Sequence, residues 1–343
     1  MFRKPTVLII GAGANKEFGL PLGTELMTQV GEALRFRFDF DRQISGDREL
    51  LDVLKGRFGQ EVNTYTRAAN HLVSVLPGFN SMDEALHFLR GDEKCTWLGK
   101  VANVQAILKA ERNSSLKRVP ELGGPDIARC EAWAYQFLKM VLSSATFDEI
   151  KSLFKNLTVV NFNYDRCFEH YLYWALQSFA SAPPEDAVEI VANLNVIRPY
   201  GDLGKLDWDQ RGKGTPFGGR DYHGVVLFEW AKGIRTYTEQ DESDVPVQIE
   251  QALTDAELIL ILGFGFHEQN VQLLRPKKRQ RGANGGRRHV FATIRGIAED
   301  NKRALVQELT ACFKTEHILL SDRTATQLLF DLAPSIMAVA GKP

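Results

Sequence analysis

Apolar positions along this chain follow two rhythms. The first is a set of short unbroken runs: Thr6-Val7-Leu8-Ile9-Ile10, then residues 157–160, 194–197, 258–262, 289–294 and 317–320. A run with no polar alternation is what a strand buried on both faces requires, and parallel α/β sheets are built from such strands. The second rhythm is helical and falls between several of the runs, over 165–179 and 297–313 for example. Strand–helix alternation of this kind predicts an α/β protein with a Rossmann-like, doubly wound, mostly parallel sheet.

One long stretch interrupts the alternation. Between residues 25 and 150 there is almost no strand-like run, only helical periodicity over 50–58, 63–76, 82–88, 97–109 and 127–143. Breakers sit at Pro77-Gly78 and from Pro120 to Pro125. The expected organisation is a core of 1–24 and 151–343, with 25–150 a helical insertion between the first two strands of the sheet.

Composition narrows the function classes. A chain of 343 residues suits two folding units, or one core with a large insertion. Lys plus Arg is 42 and Asp plus Glu is 43, so no global field draws the protein to nucleic acid or anionic lipid. Cys95, Cys130, Cys167 and Cys312 form no CxxC pair, which argues against a tetracysteine zinc site and a disulfide framework; no metal site and no zinc are expected. The apolar run near the start covers only Val7 to Ile10, too short for a signal-peptide core or a membrane span. These features predict a cytoplasmic protein with no membrane association. HExxH, GxSxG and GxxxxGK[ST] are all absent.

The first strand runs directly into Gly11-Ala12-Gly13-Ala14-Asn15. Backbone amides at a strand-to-helix turn suit a phosphate, and glycine permits close approach. A dinucleotide fingerprint would carry a third glycine where Lys16 stands, and a strand-to-helix turn favours glycine for backbone reasons alone. The downstream acids Asp39 and Asp41 fall in the insertion, not at a second strand tip, which counts against an ordinary dehydrogenase. At the end of the 157–160 run stand Asn161, Asn163 and Asp165, at alternating positions where a strand gives way to a helix. A single Asn or Asp suffices to cap a helix. Three exceed that need, so they read as a ligand site.

Taken in order, several motifs resemble the SIR2-like family, bacterial relatives of sirtuins that often serve as NAD-consuming domains in anti-phage defence. They are Gly11 to Asn15 continuing through Phe18, Gly19, Leu20 and Pro21; Asn161-Phe162-Asn163-Tyr164-Asp165; Pro199-Tyr200-Gly201-Asp202; and Gly263-Phe264-Gly265-Phe266-His267-Glu268-Gln269-Asn270. The resemblance covers residues 5–23 and roughly 155–320. It implies NAD as substrate or ligand, with Asn163 holding the nicotinamide ribose or an attacking water and Asp165 accepting from the carboxamide. Gly263, Phe264, Gly265, Glu268, Asn270 and Thr293 would lie along the adenosine half, and Asn161, Phe18 and Pro21 beside the nucleotide. Tyr200 replaces the usual catalytic histidine of the family, and a phenol is a poor base at neutral pH; His267 is a substitute candidate.

The expected activity is hydrolysis of NAD to nicotinamide and ADP-ribose, restrained by homo-oligomer assembly or a gating partner protein. The alternative is a catalytically silent sensor of NAD or an ADP-ribose derivative. Missing zinc-ribbon cysteines disfavour deacetylation. A cluster of cations from Arg275 to Arg288 offers a lesser reading as a nucleic-acid contact, since no aromatic residues interleave with it.

Overall fold

The computed structural model describes residues 1–40, 42–209, 214–219, 224–236, 239, 243–276 and 288–341. Its strands are β1 (Thr6–Ile10), β2 (Arg37–Asp39), β3 (Arg42–Ser45), β4 (Leu157–Asn161), β5 (Asn195–Ile197), β6 (Leu258–Leu262), β7 (His289–Thr293) and β8 (Ile318–Ser321). Six of them form one sheet in the order β5-β4-β1-β6-β7-β8, and every pairing is parallel. From the central β1 the chain winds outward through β4 to β5. It then recrosses to β6 and winds the other way. This is the doubly wound Rossmann order, and its direction reverses between β1 and β6.

The apolar runs form these strands because both faces of the sheet are covered. All five residues of β1 and of β6 are buried. Alternate side chains serve opposite cores, as the two-residue strand period demands. Val7, Ile9, Val160, Ile259 and Ile261 enter one, and Leu8, Ile10, Val159, Leu258, Leu260 and Leu262 the other. Each such side chain contributes about 1.5–3 kcal/mol by leaving water.

Helices α1 (Ala12–Asn15), α2 (Gly23–Leu34), α3 (Arg48–Phe58), α4 (Val62–Val75), α5 (Met82–Phe88), α6 (Glu93–Asn113) and α7 (Trp133–Leu142) precede β4. Buried side chains of α2 to α6 join the first core, whereas those of α7 join the second. The segment 25–150 therefore shares both cores with the sheet. Helix α6 is its axis, packed against α2, α4 and α5, and is apolar or small on most sides because other helices surround it. After β4 come α8 (Cys167–Phe179), α9 (Pro184–Ala192) and α10 (Gly224–Ala231), followed by helices Val245–Asp255, Glu268–Leu274, Glu299–Phe313, Ala325–Asp331 and Ala333–Val339.

One expectation fails here. Residues 25–150 are not purely helical, because β2 and β3 pair as an antiparallel hairpin. Neither of its faces is buried, with Phe38 44% and Ile44 60% exposed, so its signal is the alternation Phe36-Arg37-Phe38-Asp39-Phe40 and not an unbroken apolar run. Asp39 lies on this hairpin, while Asp41 lies outside the described residues. All four cysteines are free and buried. Among the described residues no helix is long and apolar enough to cross a membrane.

Candidate functional site

The parallel register sets Ile10 of β1 opposite Asn161 of β4 and Leu262 of β6. The turns that follow these strands consequently emerge at one edge of the sheet, the edge where ligands collect in open α/β folds.

At the β4 tip the chain leaves the sheet as Asn161-Phe162-Asn163-Tyr164-Asp165, all buried. Asn161 Oδ1 accepts from the Asn163 amide at 3.0 Å, which bends the chain out of the strand. Arg198 fixes the bend, donating from Nη1 to the carbonyls of Asn163 and Asp165 at 2.9 and 3.1 Å, while Nη2 reaches Glu169 Oε1 at 2.5 Å. Asp165 accepts from the Cys167 amide at 3.0 Å and so caps the start of α8. Its two oxygens also take Asn15 Nδ2, at 2.8 and 3.0 Å, and Asn15 Oδ1 accepts from Trp133 Nε1. Burial raises the pKa of Asp165 above the ordinary carboxylate value, against the pull of those hydrogen bonds. Capping thus accounts for part of Asp165. It does not account for Asn161 and Asn163, whose buried Nδ2 groups have no hydrogen-bond partner among the described residues. Two idle buried amide donors are costly, of the order of 1–3 kcal/mol each, unless a ligand or an ordered water engages them.

The glycine turns are occupied with one another. Gly13 N donates to Gly263 O at 2.9 Å, and Gly11 N to Leu262 O at 2.9 Å. A Cβ on Gly11 would stand 2.5 Å from Gly263 O, and one on Gly263, at φ +60°, would stand 1.8 Å from Ala14 N. Close backbone contact between two loops is what these glycines serve, and the Gly13 amide is spent on it. Ala12 and Gly13 retain partial exposure; Ala14, Asn15, Phe18 and Pro21 are buried. Phe18 packs against Trp133 and Tyr171 in the second core.

Tyr200 and Asn270 belong to the same neighbourhood. Tyr200 Oη donates to Asn270 Oδ1 at 2.5 Å, and its ring lies 6.2 Å from Phe162 and 6.3 Å from Tyr164. Phe264 in turn meets Phe162 edge-on at 4.9 Å. Gly201 follows Tyr200 of necessity: at φ +75° a Cβ there would fall 1.8 Å from Gly233 O. Tyr164 Oη donates to Asp83 Oδ1 at 2.5 Å, tying α5 of the inserted segment to the β4 tip. Burial lifts the Asp83 carboxyl to about 6, with the Tyr164 hydrogen bond opposing the rise. Beside this cluster Arg166 and Glu111 form a buried ion pair, with Nη2 to Oε2 at 2.6 Å, that joins α6 to the start of α8.

Other assigned residues are engaged elsewhere. Thr293 Oγ1 accepts from Gly263 N at 2.7 Å and supports that turn from below. Glu268 is exposed and paired with Arg275 at 2.8 Å. His267 caps the Glu268–Leu274 helix, is exposed, and lies with its ring over Gly265. His170 is buried and stacked on Phe217 at 4.0 Å, and burial pushes its pKa down to about 3. Of the basic segment, Lys277 to Arg287 lie outside the described residues. Its two ends are internally bound: Arg275 pairs with Glu268 and Glu308, and Arg288 donates to the carbonyls of Ala256, Phe313 and Thr254.

Arg198, Asp83 and Glu111 escaped the sequence reading. Arg198 had a signal, an arginine placed directly after an apolar run and before Pro199-Tyr200-Gly201; the two acids look like ordinary helix-surface charges. No protein-family model and no curated protein matches this chain.

Proposed function

We propose that this protein binds NAD along the carboxyl edge of the sheet and hydrolyses its nicotinamide–ribose bond. One observation carries the reading. With β1 and β4 paired in register, the glycine turn and the Asn161, Asn163, Asp165 cluster share one edge, and Asn15 joins them through Asp165. The idle Asn161 and Asn163 amide donors mark where acceptors on a ligand would be welcome.

The chemistry is a displacement at the anomeric carbon. Water oxygen bonds to that carbon, the glycosidic bond breaks, and its electron pair neutralises the departing nicotinamide ring. The water proton passes to solvent. Positive charge grows on the ribose meanwhile, and a fixed carboxylate with preorganised dipoles stabilises it. Asn163 orients the ribose or the water, and Asp165 supplies the charge. A phosphate at the β1 turn is held without the Gly13 amide, which already serves Gly263. Since unrestrained NAD loss would drain a cell, gating by assembly or by a partner protein belongs to the same reading, and anti-phage defence is its natural setting.

A second reading, a sensor that binds NAD or an ADP-ribose derivative without turnover, draws on Tyr200. Its hydroxyl is donated to Asn270, an arrangement that offers no base to a ribose hydroxyl. Incubation with NAD followed by chromatography for free nicotinamide separates the two. Release that falls about 100-fold in Asn163→Ala supports hydrolysis. Binding without release selects the sensor, and neither removes both.

A further inference from the structure

A cluster remote in sequence from every motif above has metal-site geometry. Asp92 is the N-cap of α6, and its Oδ1 accepts from the Cys95 amide at 3.0 Å. This cap leaves Oδ2 free to lie 3.2 Å from Cys95 Sγ. His71, near the end of α4, brings Nδ1 to 3.7 Å from Sγ and 3.7 Å from Oδ2. In a tetrahedral zinc site, with a metal–sulfur bond of about 2.3 Å and metal–nitrogen or –oxygen bonds of about 2.0–2.2 Å, ligand atoms stand about 3.3–3.7 Å apart. The three edges here, 3.2, 3.7 and 3.7 Å, outline one face of such a tetrahedron.

Hydrogen bonding alone serves this cluster poorly. The thiol has one weak donor, yet both Asp92 Oδ2 and the Ala68 carbonyl stand 3.2 Å from it, with His71 Nδ1, a donor or an acceptor according to tautomer, at 3.7 Å. A nucleophile triad is also excluded, because the same imidazole nitrogen faces both the sulfur and the carboxylate, leaving no relay through the ring. A cation satisfies sulfur, nitrogen and oxygen at once.

We propose that His71, Asp92 and Cys95 bind a zinc-class divalent cation with three protein ligands and one open coordination position. Mixed sulfur, nitrogen and oxygen donors suit zinc or cobalt and disfavour magnesium and calcium. Cys95 is buried, while the side chains of His71 and Asp92 are 54% and 40% exposed, so the cation enters from solvent and its fourth position faces water. On binding, the metal–sulfur bond forms and the thiol proton leaves to solvent. The bound ion pins the end of α4 to the start of α6. None of its ligands belongs to the strand-tip cluster, so the site stands or falls apart from NAD chemistry.

The test uses the whole chain, stripped with a chelator and dialysed, then titrated with zinc alone and, separately, with cobalt as a spectroscopic probe. One equivalent of zinc is expected, with a thiolate-to-cobalt charge-transfer band and a rise in melting temperature. Cys95→Ser should abolish the band, and His71→Ala should weaken binding at least about 10-fold. Because His71 is half exposed, His71→Ala keeps its helical circular dichroism and remains informative even if Cys95→Ser folds poorly. Absence of stoichiometric binding, a cobalt band that survives Cys95→Ser through Cys130, Cys167 or Cys312, or unchanged affinity in His71→Ala would each overturn the proposal.

Discussion

The tips of β1 and β6 and the tip of β4 meet at one edge of the sheet, yet they spend their polar groups differently. At β1 and β6 the glycine turns bond to each other: Gly13 donates to Gly263, Gly263 donates to Thr293, and no side chain fits between the two backbones. At β4 the backbone is fixed from outside by Arg198, and two side-chain amides are left without partners among the described residues. Glycine at a strand tip here makes a rigid seam. Asparagine at the neighbouring tip makes a place for acceptors. Glycine-rich turns are easily taken for ligand cradles, and this pair shows that a second loop can fill the space first.

Perturbing the frame around these tips should have the largest effect. Glu111→Ala strands Arg166 in the interior, where Glu111 is 0% and Arg166 3% exposed, and should cost about 3–5 kcal/mol in chemical denaturation. A loss below about 1 kcal/mol would mean that the Thr215 and Pro216 carbonyls, to which Arg166 already donates, suffice for its charge. Gly263→Ala tests the seam directly. Its Cβ has no room beside Ala14 and its backbone sits at positive φ, so about 3 kcal/mol or more should be lost. Were Gly263→Ala neutral, the closed seam would be wrong and the turns would be free to hold a phosphate.

The smallest expected effect concerns the link between α5 and β4. Burial raises Asp83 to about 6 in the folded protein, above its ordinary 3.8. A carboxyl with a raised folded pKa favours folding fully at low pH and loses that contribution as pH climbs from about 4 to about 6. The loss should be about 1–3 kcal/mol, the full shift being worth about 3 and the half-buried position of Asp83 reducing it. Stability profiles of wild type and Asp83→Asn should differ in that window, with the variant flatter. Parallel profiles would detach Asp83 from the strand-tip cluster.

Much of the frame was legible because a doubly covered strand cannot hide: β1 and β6 are unbroken apolar runs with the boundaries the pattern predicts. Helices α3, α4 and α5 were legible for the opposite reason, one wet face and one dry. The β2–β3 hairpin was less so, since it carries only the short alternation Phe36-Arg37-Phe38-Asp39-Phe40 and no unbroken apolar run. Nor was the division of residues 25–150 between two cores, in which α7 joins the second core while α2 to α6 join the first. Within the site, the polar cluster at the β4 tip could be read from three residues at alternating positions. The bond from Asn15 to Asp165 could not, because it joins positions 150 residues apart. Glu111, in the charged context Lys109-Ala110-Glu111-Arg112, looks like a solvated helix face and is instead completely buried.

Calorimetric titration of NAD into wild type and Asn163→Ala addresses the central claim most directly. Saturable binding to wild type, weakened at least about 10-fold in a variant whose melting temperature does not fall, is the expected result. Equal affinity in both proteins, or no binding to wild type, would contradict it.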